Sequence, residues 1–214
     1  MKKKFKKFED MEKIAQDIKN LLDAKDKARE KGLSLSRQIT RMSAKAIKKI
    51  HQQDFKESKI LLDEAILMLK EAKKELKPIP EIYFAGFVHN AEKELIEGLV
   101  TYNLLKDKTI FTFEGDEFDK ISYLHGVAES IGEIRRHILD CIRKEETSEI
   151  ETLLDIMDEF YSFLILFDYQ EGITRGLRRS VDAMRGLLER TRAEVSLVIS
   201  QKRLETLLKN KKSR

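Results

Sequence analysis

Two pairs of glutamates have a spacing that could do chemistry: Glu94 and Glu97 in "ELIEG", and Glu129 and Glu133 in "AESIGE". On a helix, residues three or four apart stack on one face, so each pair sets two carboxylates side by side. Mg²⁺ takes a few hard carboxylate ligands and keeps several waters. A metal-bound water is acidified and the ion offsets charge on a phosphate, which is the chemistry of phosphodiester hydrolysis. If the two helices pack together, Glu94, Glu97, Glu129 and Glu133 form one metal-binding and catalytic set. Number argues the other way. With 38 acidic residues among 214, such pairs arise by chance. Glu129 and Glu133 also lie on the face away from Leu124, Val127, Ile131 and Ile138. Periodicity alone favours a solvated face. Gly126 and Gly132, on the same helix, weigh slightly against it. Each costs about 0.5–1 kcal/mol relative to alanine, and a helical glycine often admits close approach of another chain or ligand.

Basic residues flank these pairs. His125 sits one turn before Glu129, and Arg136 lies three residues after Glu133. Arg37, Arg41 and Lys45 recur every four residues. They read equally as nucleic-acid backbone contacts or as a solvated basic stripe. There is no phosphate-cradling glycine loop, Cys/His zinc pattern or nucleophile elbow. None of His51, His89, His125 and His137 is paired at four with another histidine. Each reads as a surface or packing residue, with His125 the exception worth following.

The elements that position these groups are all helical. The chain is 37% charged and 41% hydrophobic, with two prolines and no tryptophan. That composition favours an all-α fold. Apolar periodicity predicts a long first helix over 8–51 with a phase slip near Gly32, then helices over 55–76, 81–107, 117–144, 148–167 and 173–208. Pro78 and Pro80 end the second, and Gly172 marks the break before the last. Between the third and fourth, "KTIFTFEGDEF" allows a short extended piece. The fifth is apolar on most sides in its last two turns, which predicts a central position. The expectation is one elongated helical domain over 1–214, with basic mobile tails near 1–7 and 209–214. Helices this long leave apolar stripes that one chain does not cover, so oligomerisation is expected.

Cys141 is the only cysteine, which points to a reducing compartment and a cytoplasmic location. "MKKKFKKFED" has no apolar segment after it and is not expected to act as a signal peptide. The longest apolar run, "YSFLILF", is too short to span a bilayer.

Several stretches carry a family resemblance. "DKAREKGLSLSRQITRMSAKAIKKIH" (26–51) resembles the first-helix pattern of the translin family through Leu35, Ser36, Arg37, Ile39, Thr40, Ser43, Ile47 and His51. "ELIEG", "YLHGVAESIGEIRR" and "GLRRSVDAM" resemble segments of its translin-associated factor X (Trax) branch. The resemblance implies an all-α subunit of about seven helices, assembled into a hollow octamer that encloses RNA. It implies a Mg²⁺-dependent endoribonuclease site, with Mn²⁺ a substitute, at Glu94, Glu97, Glu129 and Glu133. Translin itself binds nucleic acid and lacks the first glutamate pair, so this chain falls on the catalytic side. Glu129 stands where the Trax pattern has aspartate, one methylene longer, which bears on metal affinity and rate. The alternatives are a non-catalytic module binding single-stranded or duplex RNA or DNA, and a helical scaffold for a protein partner.

Overall fold

The computed structural model describes residues 7–212. Its elements in chain order are α1 (Lys7–His51), α2 (Phe55–Leu76), α3 (Pro80–Tyr83), α4 (Gly86–Tyr102), α5 (Lys120–Arg143), α6 (Ile150–Leu164), α7 (Glu171–Thr174) and α8 (Leu177–Lys212). Six are long and two are single turns, and there is no strand among the described residues. A π-turn over Asn103–Asp107 continues α4, and a 3₁₀ turn over Ile165–Phe167 continues α6. No described helix is long and apolar enough to cross a membrane.

The expected third helix divides because Ala85 is extended (ψ 141°) between α3 and α4. Its far end loosens where Asn103 Nδ2 donates to the Leu99 carbonyl, competing with the backbone ladder. The expected extended piece after it is irregular. Phe111 and Phe113 pack on Phe118 and Tyr123, and Tyr123 Oη donates to the Phe111 carbonyl, so side chains hold this segment. Asp119 caps α5 by accepting from the Ser122 amide at 2.8 Å. The last break falls not at Gly172, which lies within α7, but at Arg175–Gly176, both at positive φ.

α1 packs on α2 and α4, α4 on α5, and α5 on α6 and α8. α5 is therefore the central helix, not α6. Ile131, Ile134 and Ile138 are completely buried, while Leu166, just past the end of α6, is 70% exposed. Apolar residues on most sides of its last two turns predict a central α6, but part of that surface, Phe163, Ile165 and Leu166, faces outward. α1 contributes Ile39, Ala46 and Ile50 to the core, whereas Met11, Ile18 and Leu22 are exposed. The phase slip near Gly32 thus marks where α1 leaves the core. α8 does the same at its far end: Leu177, Met184, Leu188 and Val195 are buried, Leu204 and Leu207 exposed. Of the predicted tails, residue 7 and residues 209–212 continue these two helices. Residues 1–6 and 213–214 lie outside the described residues.

Candidate metal centre

The site begins at Gly126. A Cβ there would lie 2.6 Å from Ile96 Cγ2 and 3.0 Å from the Lys93 carbonyl oxygen. Only a residue without a side chain lets α4 and α5 approach this closely. Glu129 is one turn beyond the contact on α5, and Lys93, Glu94 and Glu97 flank it on α4. As a result, one carboxylate oxygen from each of Glu94, Glu97 and Glu129 falls within 4.8 Å of the other two. Gly132, by contrast, has nothing within 4 Å of where its Cβ would stand.

Like charges this close, half-buried, cannot all ionise at ordinary pH. Glu97 carries the largest effect. Burial, and then the charges of Glu129, Glu94 and Glu133, push its carboxyl up to about 8. Glu94 is also raised, mainly by burial. The cluster thus has a surplus of negative charge. Part of it is met by Lys93, whose Nζ donates to Glu129 Oε1 at 2.7 Å.

Glu133 is beside the three but is held by α1. His51 Nε2 lies 2.5 Å from its Oε2, and Arg136 Nη1 lies 3.5 Å from the same oxygen. The His51 hydrogen bond keeps the Glu133 carboxyl below its usual range. The structure therefore brings Glu94, Glu97 and Glu129 together and places Glu133 at their edge. His125 is not directed at the cluster. It is buried, Nε2 donates to the Thr174 carbonyl at 2.9 Å, and Nδ1 accepts from Ser180 Oγ at 3.3 Å. Both ring nitrogens are taken up within the protein, so it serves packing between α5 and the start of α8. Arg136 is exposed apart from its pairing with Glu133. Arg37, Arg41 and Lys45 are exposed along α1, the helix that ends at His51.

Two members of the site escape a reading of spacing. His51 belongs to a pattern on α1 but gave no hint of a partner 82 residues away. Lys93 adjoins Glu94 in sequence, where residues on a helix do not normally face each other. A third acidic residue of α4, Glu92, faces elsewhere. It is buried against Lys73 Nζ at 2.6 Å and the Asp119 amide at 2.7 Å, a structural anchor for the α5 N-terminus.

The donor set suits a hard divalent cation. It offers three oxygens from two helices, no thiolate or imidazole among the three, and a carboxyl that burial and then its acidic neighbours hold protonated. Fold and cluster together define a class: an all-helical subunit with a carboxylate centre between two packed helices. Solved structures similar in fold include those of AfC3PO and NeC3PO, of the translin/C3PO family. The AfC3PO–duplex RNA complex and AfC3PO alone each superpose with a TM-score of 0.81 and 28% identity, covering 87% of this chain and 97% of theirs. apo-NeC3PO shares the fold at a TM-score of 0.77 and 19% identity, over 86% of this chain and 96% of its own. No family model matches the sequence. The chain belongs to one family with the uncharacterized protein MJ0175 of Methanocaldococcus jannaschii, 36% identical over 192 residues, which are 89% of this chain and 85% of that one.

Proposed function

We propose that this chain is a metal-dependent RNA endonuclease of the translin type, on the Trax side of that family. It would act in the cytoplasm as a homo-oligomeric shell, an octamer, around RNA. One observation carries the reading: carboxylate oxygens of Glu94, Glu97 and Glu129 lie within 4.8 Å of one another. The duplex RNA bound by AfC3PO, a structure covering most of this chain, supports RNA as the ligand. Glu94, Glu97 and Glu129, with Glu133 at the edge, would hold Mg²⁺ or Mn²⁺. The chemistry such an ion supplies when bound is an acidified water and stabilisation of charge on the phosphate. The protein's own part is to fix the carboxylates on two helices locked at Gly126. Arg136 and the α1 stripe of Arg37, Arg41 and Lys45 would meet the RNA backbone, Arg136 beside the cluster and the stripe further along.

Glu129→Gln keeps size and removes a charge. It is expected to abolish Mg²⁺-dependent cleavage of a labelled RNA, a loss of at least about 10²-fold, while binding of that RNA stays within about twofold. Cleavage at the wild-type rate, with nuclease contamination excluded, removes Glu129 from the site. The second reading is a binding protein without catalysis, for RNA or single-stranded DNA. It is favoured by the ammonium already lodged at Glu129. Intact RNA binding with no metal-dependent cleavage by the wild type would select it.

A further inference from the structure

The cluster contains a positive charge that the proposed chemistry does not use. Lys93 Nζ sits 2.7 Å from Glu129 Oε1, with 18% of its side chain exposed, and its charge bears on Glu94 and Glu97 as well. Glu129 is its only described hydrogen-bond or ion-pair partner. Its backbone is fixed, because its carbonyl is one of the atoms packed against Gly126. Its ammonium is carried on a four-carbon stem with several rotatable bonds.

We propose that Lys93 is the resident cation of the carboxylate cluster, giving up Glu129 to an incoming divalent ion and turning to an RNA phosphate. The inference rests on the cluster being a metal centre. A dication on Glu129 repels an ammonium a few ångströms away, so the two compete for that carboxylate. Rooted beside Glu94, the freed ammonium would stay within reach of a phosphate bound at the cluster. Lysine suits such a transfer, being a point charge on a flexible stem with three rotatable donors. Lys93 thereby opposes metal binding in the absence of RNA and adds to RNA binding once metal is present. Adventitious ions at low concentration would be held less well than ions arriving with RNA.

The test uses the full-length protein and two readouts other than activity. Mn²⁺ is titrated into wild type, Lys93→Met, Lys93→Arg and Glu129→Gln, with free Mn²⁺ followed by electron paramagnetic resonance. Anisotropy of a labelled, 2′-O-methylated RNA that cannot be cleaved gives RNA affinity with and without Mn²⁺. Lys93→Met is expected to bind Mn²⁺ about three- to tenfold more tightly than wild type, as removal of a partly buried competing charge predicts. Lys93→Arg is expected to stay near wild type. Lys93→Met is also expected to lose most of the gain in RNA affinity that Mn²⁺ confers. Lys93→Gln replaces Lys93→Met if the latter does not fold. Equal Mn²⁺ affinity in wild type and Lys93→Met, with Glu129→Gln weaker, overturns the role of Lys93 and leaves the metal centre standing. Equal affinity in wild type and Glu129→Gln removes the metal centre and this inference with it. Tighter Mn²⁺ binding with an unchanged gain in RNA affinity overturns the transfer to phosphate.

Discussion

Glu97 has a carboxyl raised well above its usual range by burial and by its acidic neighbours. With its carboxyl pushed up to about 8, the folded protein keeps a proton that the unfolded chain releases near 4.5. A raised carboxyl contributes stability that is fully present below the unfolded value and lost as pH rises through the folded one, so the window is about 4.5 to 8. Glu133 is shifted down by His51 and acts below that window. His125 and His137 are lowered by burial and slope the opposite way on the acid side. The wild-type-minus-variant difference isolates Glu97. Glu97→Gln is expected to melt about 5 °C or more above wild type at pH 8 without metal, and level with it near pH 4.5. Mg²⁺ should raise the wild-type melting temperature at pH 8 and barely move that of the variant. Thermal scans at the two pH values check both, and a gap independent of pH would sink the assignment.

At the scale of the element, the α4–α5 contact decides whether a site exists. Gly126→Ala places a methyl 2.6 Å from Ile96 Cγ2 and 3.0 Å from a backbone oxygen, so the helices must separate. The expected cost is about 1–3 kcal/mol, with weakened Mn²⁺ binding because Glu129 moves away from Glu94 and Glu97. Gly132→Ala meets nothing within 4 Å and should stabilise by about 0.5–1 kcal/mol through helix propensity alone. Urea denaturation of the two variants reads the contrast. Two similar glycines six residues apart have opposite expected signs, because one faces α4 and the other faces open space.

At the scale of the whole molecule, the parts of α1 and α8 that leave the core carry exposed apolar residues, and assembly is expected to run through them. Met11, Ile14, Ile18 and Leu21 are exposed and spaced three, four and three apart, the seam of a helix that pairs with another. Light scattering is expected to give a large multiple of the 25.0 kDa chain, and Ile18→Glu with Leu21→Glu to lower it. A wild-type monomer would remove the enclosed-RNA arrangement. Within an assembly, Arg37, Arg41, Lys45 and Arg136 would meet RNA as separate phosphate contacts. Each replacement by alanine is then expected to reduce the log–log salt slope of RNA binding by about 0.7–0.9. An unchanged slope for Arg136→Ala would leave it as a surface partner of Glu133, worth about 0–1 kcal/mol.

Composition and a 3.6-residue period determined the all-α class and the limits of most helices, α2 to the residue, because burying one face of a helix writes itself into local spacing. Pro78 and Pro80 did as much for the end of α2. Which helix lies at the centre was not local information. α6 has the more apolar sequence, yet α5 is enclosed by α4, α6 and α8. The same holds at the site. Spacing put Glu94 with Glu97 and Glu129 with Glu133, and resemblance to a family joined the pairs. Only the packing of helix on helix made three of them neighbours, with Gly126 against α4, and set Glu133 on His51, Lys93 on Glu129 and His125 on Thr174. Contacts within a helix follow from distance along the chain, whereas contacts between helices depend on the angle and depth at which they pack, and these are fixed only when every buried side chain finds its place.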